Sequence, residues 1–369
     1  MLKKVETGII FRNPSPQLKS IHAYFPSVVV TDNCDMLATV VLGEAFEAVN
    51  MHTYLFRSND YGKHWINEGP LYLTKNDQLI SDYSRIARLP NGELIVLMLC
   101  ANRSDHLNEG LTNPETLGFV STEFITMRSE DQGRSWTEPK IIKSVLGKTP
   151  LELCCPVTPL SDGKCLLPTS TWGNWDGSIP LGYRTVALVS HDLGKNWQEY
   201  IDVMIDPKQE IRYWESKIIE LPDHILLGVA WAYNQAQKKD LPNQYVISRD
   251  GGKSWSTPKS TGLIGQTLTP FLLEDGHILS IYRRMDRPGL WANISRMEKK
   301  LWINEHSEPL WGNNAASLAG DDGSMARIFR ALKFGAPCIT RLPDRSIFIS
   351  FWAVEDCISV IRWFKLIEE

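Results

Sequence analysis

The sequence lacks any long apolar run and any concentration of positive charge. Its longest apolar run, residues 94–100, is too short to span a bilayer. A formal net charge of −4 and a pI near 6.1 make nucleic acid and anionic membranes poor partners. The N-terminal stretch MLKKVETGIIFRNPSP contains no apolar segment of signal-peptide length. We therefore expect a cytoplasmic protein that binds neither nucleic acid nor membrane.

Closely spaced metal ligands are also missing. The seven cysteines are scattered, mostly inside apolar strand-like runs, and neither CxxC nor HxxxH spacing occurs. This pattern is typical of reduced thiols in a protein core. The sequence therefore predicts no metal site and no cofactor.

One motif, Ser-x-Asp-x-Gly-x-x-Trp, recurs along the chain. A single copy would arise by chance in roughly one chain in a thousand of this length, so four copies are a true repeat. A fifth copy keeps only the serine and the tryptophan. The copies are SNDYGKHW (58–65), SEDQGRSW (129–136), SHDLGKNW (190–197), SRDGGKSW (248–255) and the degraded SRMEKKLW (295–302).

The chemistry of this motif is that of a tight hairpin turn. The aspartate can accept hydrogen bonds from backbone amides of its own turn. The glycine supplies a positive φ where the chain reverses, and the tryptophan buries a large ring against the sheet. We interpret these aspartates and tryptophans as structural residues.

A second repeat, out of phase with the first, consists of two apolar strands joined by a Pro-Asp-Gly-like turn. Its six turns are centred near residues 32, 91, 162, 223, 275 and 344. Together the two repeats describe a unit of four antiparallel strands, which is one propeller blade. In blade two, for example, the inner strand is predicted at 83–89, the second at 93–99, the third at 119–129, and Trp136 opens the fourth.

The predicted fold is therefore all-β: a six-bladed β-propeller of four-stranded antiparallel blades. No linker divides the sequence, so we predict one domain over residues 1–369. Blade six has three strands and no motif turn of its own. We expect the N-terminal run 5–11 to supply its outer strand and to close the ring, which removes an open sheet edge.

The functional site is expected where long loops gather. The turns between first and second strands, and between third and fourth strands, are uniformly short, whereas the remaining connections are long and irregular. These connections are predicted at 43–50, 100–118, 172–182, 232–242 and 303–333. The last is predicted as a lid or an interface, with a short helix over 325–332.

Residues flanking these loops are rich in groups that act on sugars. Carboxylates transfer protons or attack a glycosidic bond, arginines bind acidic groups in a bidentate manner, and tryptophans stack on sugar rings. Glu215, within the aromatic run RYWE, is expected to have a pKa raised by burial. The predicted substrate-binding residues are Arg103, Arg283, Arg284, Glu44, Trp172, Tyr213, Trp231 and Glu355.

Four residues are predicted to be catalytic. Glu215 and Asp82 are the candidate acid and base carboxylates. His22 and Tyr24, two residues apart on an extended segment, should project from the same side of it. That arrangement suits auxiliary proton donors or orienting groups.

With these motifs the chain resembles the sialidase superfamily of Asp-box (BNR-repeat) propellers over nearly its whole length. The resemblance implies the fold more strongly than the reaction. Glu215 matches the glutamate that precedes the blade-four inner strand in sialidases. Asp82 is a loose match to the family's acid/base aspartate, and either Arg283 or Arg284 corresponds to a substrate-binding arginine, one blade later than in the family.

Two family positions differ. The stretch 23–26 (AYFP) places Tyr24 where the Phe-Arg-Ile-Pro motif of sialidases has an arginine, and residues 334–337 (FGAP) carry no tyrosine where the family has its nucleophile. Sialic acid is therefore a doubtful substrate. Related propellers include hydrolases and lyases that use His, Tyr or carboxylate sets on uronic-acid or rhamnose-containing glycans.

The leading prediction is a glycosidase that removes a terminal, anionic sugar from a small glycan. A lyase that uses the same pocket and a non-catalytic sugar-binding propeller are the two alternatives.

Overall fold

The computed structural model of the protein describes residues 2–72, 79–314 and 332–368. Among these residues, no helix is long and apolar enough to cross a membrane. One 3-10 turn, Pro222–His224, accompanies the strands. The strands are β1 (Leu2–Phe11), β2 (His22–Val30), β3 (Met36–Gly43), β4 (His52–Ser58), β5 (Ile66–Pro70), β6 (Ile80–Arg88), β7 (Leu94–Asn102), β8 (Thr122–Ser129), β9 (Lys140–Ile142), β10 (Thr158–Pro159), β11 (Cys165–Ser170), β12 (Arg184–Ser190), β13 (Glu199–Ile205), β14 (Ile211–Leu221), β15 (Ile225–Asn234), β16 (Lys239–Ser248), β17 (Lys259–Ser260), β18 (Gly265–Leu272), β19 (Ile278–Arg284), β20 (Leu290–Glu298), β21 (Leu301–Trp311), β22 (Phe334–Arg341), β23 (Ile347–Glu355) and β24 (Ile358–Glu368).

These strands form six four-stranded sheets, and the sheets are the predicted blades. Blades 1 to 5 are β2–β5, β6–β9, β10–β13, β14–β17 and β18–β21, each with its strands in sequence order. Neighbouring strands are antiparallel wherever their register is defined. The all-β, six-bladed prediction is confirmed.

Blade 6 is completed by the N-terminal strand. Its strand order is β1-β24-β23-β22, and β1 pairs antiparallel with β24 from Leu2↔Glu368 to Phe11↔Ile361. The prediction that the N-terminal run supplies the outer strand of this blade is confirmed. The pairing covers the edge of β24, which would otherwise present unpaired backbone groups to solvent.

Contacts divide the chain into two compact units. The first unit comprises residues 1–113, 120–144 and 336–369, and the second comprises 114–119 and 145–335. The first unit contains blades 1, 2 and nearly all of blade 6, and the second contains blades 3, 4 and 5. The single-domain prediction over 1–369 stays a prediction.

The Ser-x-Asp-x-Gly-x-x-Trp turns have the hydrogen bonds expected from their sequence. In the first copy, the Ser58 hydroxyl donates to Asp60 (2.8 Å) and accepts from the Gly62 amide (2.9 Å). Asp60 in turn accepts from the His64 amide at 2.9 Å, and the Trp65 ring nitrogen donates to the Gly62 carbonyl at 2.8 Å. The serine and aspartate bonds recur in the copies that begin at Ser129, Ser190 and Ser248.

The inner strands share a different irregularity. Phe25, Glu215, Thr267 and Ala336 each have φ between 49° and 56°, a region that residues other than glycine rarely adopt. In β2, β14 and β18, the residue lies inside a break in the pairing register. These breaks are β-bulges, which re-aim side chains and occur frequently beside active sites.

The loop predicted over 232–242 is wrong. β15 and β16 continue through most of it and leave 235–238 as a short turn. The misleading signals were the polar residues NQAQKKD and Pro242. Pro242 is accommodated because it falls in a bulge, where the pairing changes from Ala230↔Gln244 to Ala232↔Leu241 and no ladder hydrogen bond is required of it.

The loop predicted over 303–333 is wrong for its first part, because 303–311 belongs to β21, which pairs with β20. The polar run there fits an outermost strand, since most of its residues are exposed or half-exposed. Residues 315–331 lie outside the described ranges. They include the helix predicted over 325–332 except for its last residue, as well as most of the predicted lid.

Candidate active site

In the second unit, two glutamates meet at the start of blade 4. Glu152 is buried, with 7% of its surface exposed. One of its carboxylate oxygens accepts a hydrogen bond from the Glu215 amide at 2.5 Å, and the other accepts one from the Trp172 ring nitrogen at 3.1 Å. Burial, together with the neighbouring charge of Glu215, raises the pKa of Glu152 to about 7. Glu152 is therefore a carboxylic acid that can hold a proton near neutral pH.

The β14 bulge presents Glu215 to its neighbours. With φ at 55°, Glu215 departs from the regular strand path, and its carboxylate accepts a hydrogen bond from the Thr267 amide of β18. Thr267 itself has φ at 56°, so two strained residues meet in this contact. Glu215 also lies near enough to Arg283 for the two charges to attract each other. Unlike Glu152, Glu215 is half-exposed.

A buried polar network extends from this pair across blade 5. Arg283 donates to the Phe334 carbonyl at 2.9 Å and to the side-chain oxygen of Gln266. Gln266 contacts Asp240 at 3.4 Å, and the Trp231 ring nitrogen donates to Asp240 at 2.6 Å. Burial raises the pKa of Asp240. Asp240 is thus a second carboxyl group whose pKa is shifted upward by burial.

Three tryptophan rings pack against one another beside Glu152 and Asp240. The rings of Trp172 and Trp214 stack with their centroids 5.1 Å apart, and Trp214 contacts Trp231 at 4.9 Å. Trp172 and Trp231, which were predicted to bind substrate, are 5% and 3% exposed. The ring N–H of Trp172 donates to Glu152, and that of Trp231 donates to Asp240 of the buried polar network. Tyr213, also predicted to bind substrate, packs into the apolar core of blades 3 and 4.

In the first unit, His22 and Tyr24 lie side by side, as their spacing predicts. Their rings stack at a centroid distance of 6.3 Å, and the edges of Phe46 and Trp352 enclose Tyr24. The Ser359 amide donates to Nδ1 of His22 at 3.1 Å. Burial lowers the pKa of His22 and raises that of Tyr24. Both groups are therefore held in their neutral forms around pH 7.

Asp82, predicted as a catalytic carboxylate, binds the third strand of the neighbouring blade. One of its oxygens lies 2.7 Å from Nδ1 of His52, and the other accepts a hydrogen bond from the Thr53 amide at 2.7 Å. Its side chain is 5% exposed, whereas that of His52 is 26% exposed. This geometry lets Asp82 orient an imidazole, and the imidazole is the more accessible of the two groups.

The remaining predicted substrate-binding residues already have protein partners. Arg103 is fully buried and donates to the backbone carbonyls of Glu47, His106 and Glu109. Arg284 forms a bidentate pair with Asp286.

Two predicted carboxylates complete the set. Glu355 forms a bidentate pair with Arg362. Glu44 has an exposed side chain and lines a cavity in the first unit.

Three residues of these clusters carried no motif in the sequence. His52 opens a strand, Gln266 lies in an inner strand, and Asp240 falls in the segment that was predicted as a loop. Glu152 lies ahead of blade 3 between Leu151 and Leu153, and its pairing with Glu215 connects positions 63 residues apart. Among the described residues, no group of three or more His, Cys, Asp or Glu side chains is placed to hold a metal ion.

Comparison with known proteins identifies the family. The model of the BNR repeat-like domain matches residues 86–307, which is more than half of the chain. The protein belongs to the BNR repeat-like family. A search of curated proteins returns no match.

Solved structures similar to this BNR repeat-like protein share its fold at low sequence identity. A protein of unknown function from Dyadobacter fermentans is 18% identical with a TM-score of 0.75, over 100% of this chain and 99% of that one. An α-L-arabinanase from Penicillium chrysogenum, complexed with arabinobiose, is 18% identical with a TM-score of 0.67, over 98% of both chains.

The intramolecular trans-sialidase from Ruminococcus gnavus is 14% identical with a TM-score of 0.63, over 96% of both chains. These likenesses show that the BNR repeat-like protein shares its fold with the arabinanase and the trans-sialidase.

Proposed function

We propose that the protein is a glycosidase in which Glu152 and Glu215 are the two catalytic carboxylates. The observation that carries the proposal is that the two glutamates are in contact but differ in their surroundings. Glu152 is buried and its pKa is raised to about 7, whereas Glu215 is half-exposed beside Arg283. Glycoside hydrolysis requires one carboxylic acid that donates a proton and one carboxylate that acts as base or nucleophile. The known activities of the arabinanase and the trans-sialidase agree with this class of reaction.

In this proposal Glu152 is the general acid and Glu215 is the base or nucleophile. The bulge at Glu215 holds the carboxylate in one orientation, which favours a precise approach to the sugar. Asp82, for which a direct catalytic role was predicted, orients His52 in this proposal, because one of its oxygens lies 2.7 Å from the imidazole and His52 is the more accessible of the two groups.

The three arginines that were predicted to bind an acidic group form hydrogen bonds within the protein. Arg103 and Arg284 are engaged by carbonyl groups and by Asp286, and both terminal nitrogens of Arg283 are engaged. One feature favours an acidic substrate: Nη1 of the buried Arg212 has no hydrogen-bond partner within the described part of the chain. A buried N–H of this kind needs an acceptor. Because the three predicted arginines are engaged within the protein, we favour a neutral terminal sugar.

Activity measurements with aryl glycosides test the proposal. Matched neutral and acidic substrates, an arabinofuranoside and a glucuronide, are compared for the wild type, Glu152→Gln and Glu215→Gln. Each variant is expected to lose about 10²–10⁴-fold in kcat/KM. Glu199→Gln removes an exposed carboxylate of β13 that pairs with His191, and it should retain full activity. Absence of turnover by the wild type, or full activity in both variants, would refute the assignment.

The stacked pair His22 and Tyr24 supports a lyase as the second candidate. Tyr24 can serve as the proton-transfer group in elimination from a uronic acid, and the neutral His22, whose Nδ1 accepts from the Ser359 amide, can donate a hydrogen bond from Nε2. An elimination product contains a new double bond and absorbs in the ultraviolet. Appearance of that absorbance with uronic-acid oligosaccharides, and its loss in Tyr24→Phe, would favour the lyase over the hydrolase.

A further inference from the structure

The first unit contains a cavity that the proposed hydrolytic chemistry does not use. Its volume is about 490 Å³, which is in the size range of small-molecule sites. Three polar residues line it, Glu44, Asn50 and His52, together with the apolar side chains of Val49, Leu79 and Leu107. Leu79 and Leu107 are 43% and 49% exposed, so the cavity carries apolar surface that is open to solvent.

The histidine at this cavity is held in one orientation and one tautomer. Asp82 engages Nδ1 of His52 at 2.7 Å, and a carboxylate in this position favours the proton on Nδ1. Nε2 of the neutral ring can then accept a hydrogen bond from a ligand, and Nε2 of the protonated ring can donate one. Asp82 is itself fixed by the Thr53 amide, so the imidazole rests on a rigid support.

The other two polar groups complement this acceptor. The carboxylate of Glu44 is exposed and provides further acceptor oxygens. The side-chain oxygen of Asn50 accepts a hydrogen bond from the Glu44 amide at 3.1 Å, which leaves the Asn50 amide N–H₂ as a donor. The cavity therefore offers several acceptors and one donor beside an apolar surface. Hydroxyl groups, which donate and accept, match this set.

Two loops that line the cavity are fastened by one buried side chain. Arg103 donates to the Glu47 carbonyl at 2.8 Å on the loop between β3 and β4. It also donates to the carbonyls of His106 and Glu109 on the loop between β7 and β8. These loops contribute Val49 and Leu107 to the cavity. The cavity is thus a built feature of the first unit.

We propose that this cavity binds an amphiphilic glycoside, with sugar hydroxyls on His52, Glu44 and Asn50 and an alkyl or aryl group against Leu79 and Leu107. The proposal is independent of the hydrolytic activity proposed above, because it requires none of the residues of the second unit. Both parts of the ligand contribute: a sugar alone lacks the apolar contact, and an alcohol alone leaves the polar groups without partners.

Calorimetry on the full chain with hexyl β-glucoside as the probe tests the proposal. The wild type should bind hexyl glucoside at least about tenfold more tightly than glucose or hexanol. Glu44→Gln and His52→Gln should each weaken binding about three- to tenfold, and Leu107→Ser should weaken it by a similar factor. His191→Gln, which alters an exposed histidine of the second unit, should leave binding unchanged.

The outcomes separate this site from the proposed active site. Glu215→Gln should bind hexyl glucoside as the wild type does, even if it hydrolyses nothing. His52→Gln leaves the buried Asp82 without its ring partner and can impair folding. Glu44→Gln, at an exposed position, therefore serves as the second test. No detectable binding by the wild type, equal binding of glucose and hexyl glucoside, or unchanged binding in Glu44→Gln would overturn the proposal.

Discussion

The carboxylates of the Ser-x-Asp-x-Gly-x-x-Trp turns and the carboxylate of Glu152, which precedes an inner strand, have pKa values shifted in opposite directions. Asp250, at a motif turn, accepts hydrogen bonds from the side chain and amide of Ser254 and from Ser248, and these bonds lower its pKa to about 2. Glu152 is buried beside a tryptophan and a second carboxylate, and its pKa rises to about 7. Two carboxyl groups of nearly the same chemistry therefore have different properties. Asp250 stabilises a turn, whereas Glu152 can exchange a proton near neutral pH.

The pH dependence of activity is the strongest test of this difference between Glu152 and the carboxylates of the motif turns. If Glu152 is the general acid, kcat/KM should fall about tenfold for each pH unit above about 7, because the carboxyl loses the proton that it must donate. Glu152→Gln should abolish this alkaline limb together with most of the activity. A wild-type rate that stays level from about pH 7 to 9 would contradict the assignment.

The same raised pKa should appear in stability. A carboxyl whose folded pKa lies above its unfolded value stabilises the protein fully below the unfolded pKa, and the stabilisation is lost as pH rises through the folded pKa. For a rise from 4.5 to about 7, the loss is on the order of 3 kcal/mol. Urea unfolding at about pH 5 and pH 8 measures it. In Glu152→Gln the difference between the two pH values should shrink, and an equal difference in both proteins would argue against the burial effect.

At the motif turns, a smaller and purely structural effect is expected. Ser190 is buried, accepts a hydrogen bond from the Gly194 amide at 2.8 Å and donates to Asp192 at 2.8 Å. Ser190→Ala leaves the Gly194 amide without this partner and should lower the free energy of unfolding by about 1–2 kcal/mol. Activity at a temperature where the variant is folded should match the wild type. A large loss of kcat would mean that the turns do more than shape the blades.

The smallest effect concerns His52. The hydrogen bond with Asp82, aided by its charge, raises the pKa of His52 above its ordinary value of 6.5, against the opposing effect of burial. Asp82→Asn should therefore lower the pKa of His52 while retaining the acceptor for the Thr53 amide. An NMR titration of the imidazole, with the exposed His191 as an internal reference, measures the change. An unaltered His52 pKa would show that Asp82 does not control this ring.

The fold was predictable because its signals are local. Each motif turn is specified within eight residues, and each blade repeats the same order of strands and turns, so the blade count and the role of β1 follow from the sequence. The bulges at Glu215 and Thr267 were not predictable. Their sequences give no sign of the positive φ, which the pairing with neighbouring strands imposes.

The candidate sites were predicted in part for the same reason. Glu215 and the pair His22 and Tyr24 follow from position on an inner strand. The partners that decide what each group does come from distant segments: Glu152 joins Glu215 across 63 residues, and His52 joins Asp82 across 30. Without those contacts, the sequence could not distinguish a carboxylate that is paired with a histidine from one that is buried against a second glutamate.

The buried Arg103 affects how a ligand would bind to the cavity of the first unit. Its bonds to the carbonyls of Glu47, His106 and Glu109 fix two loops when the chain folds, so the conformational entropy of those loops is already lost before any encounter. Association should then be fast and should need little rearrangement. Differences in affinity among guests should reflect how well each one fits the cavity, since none of them has to order its walls.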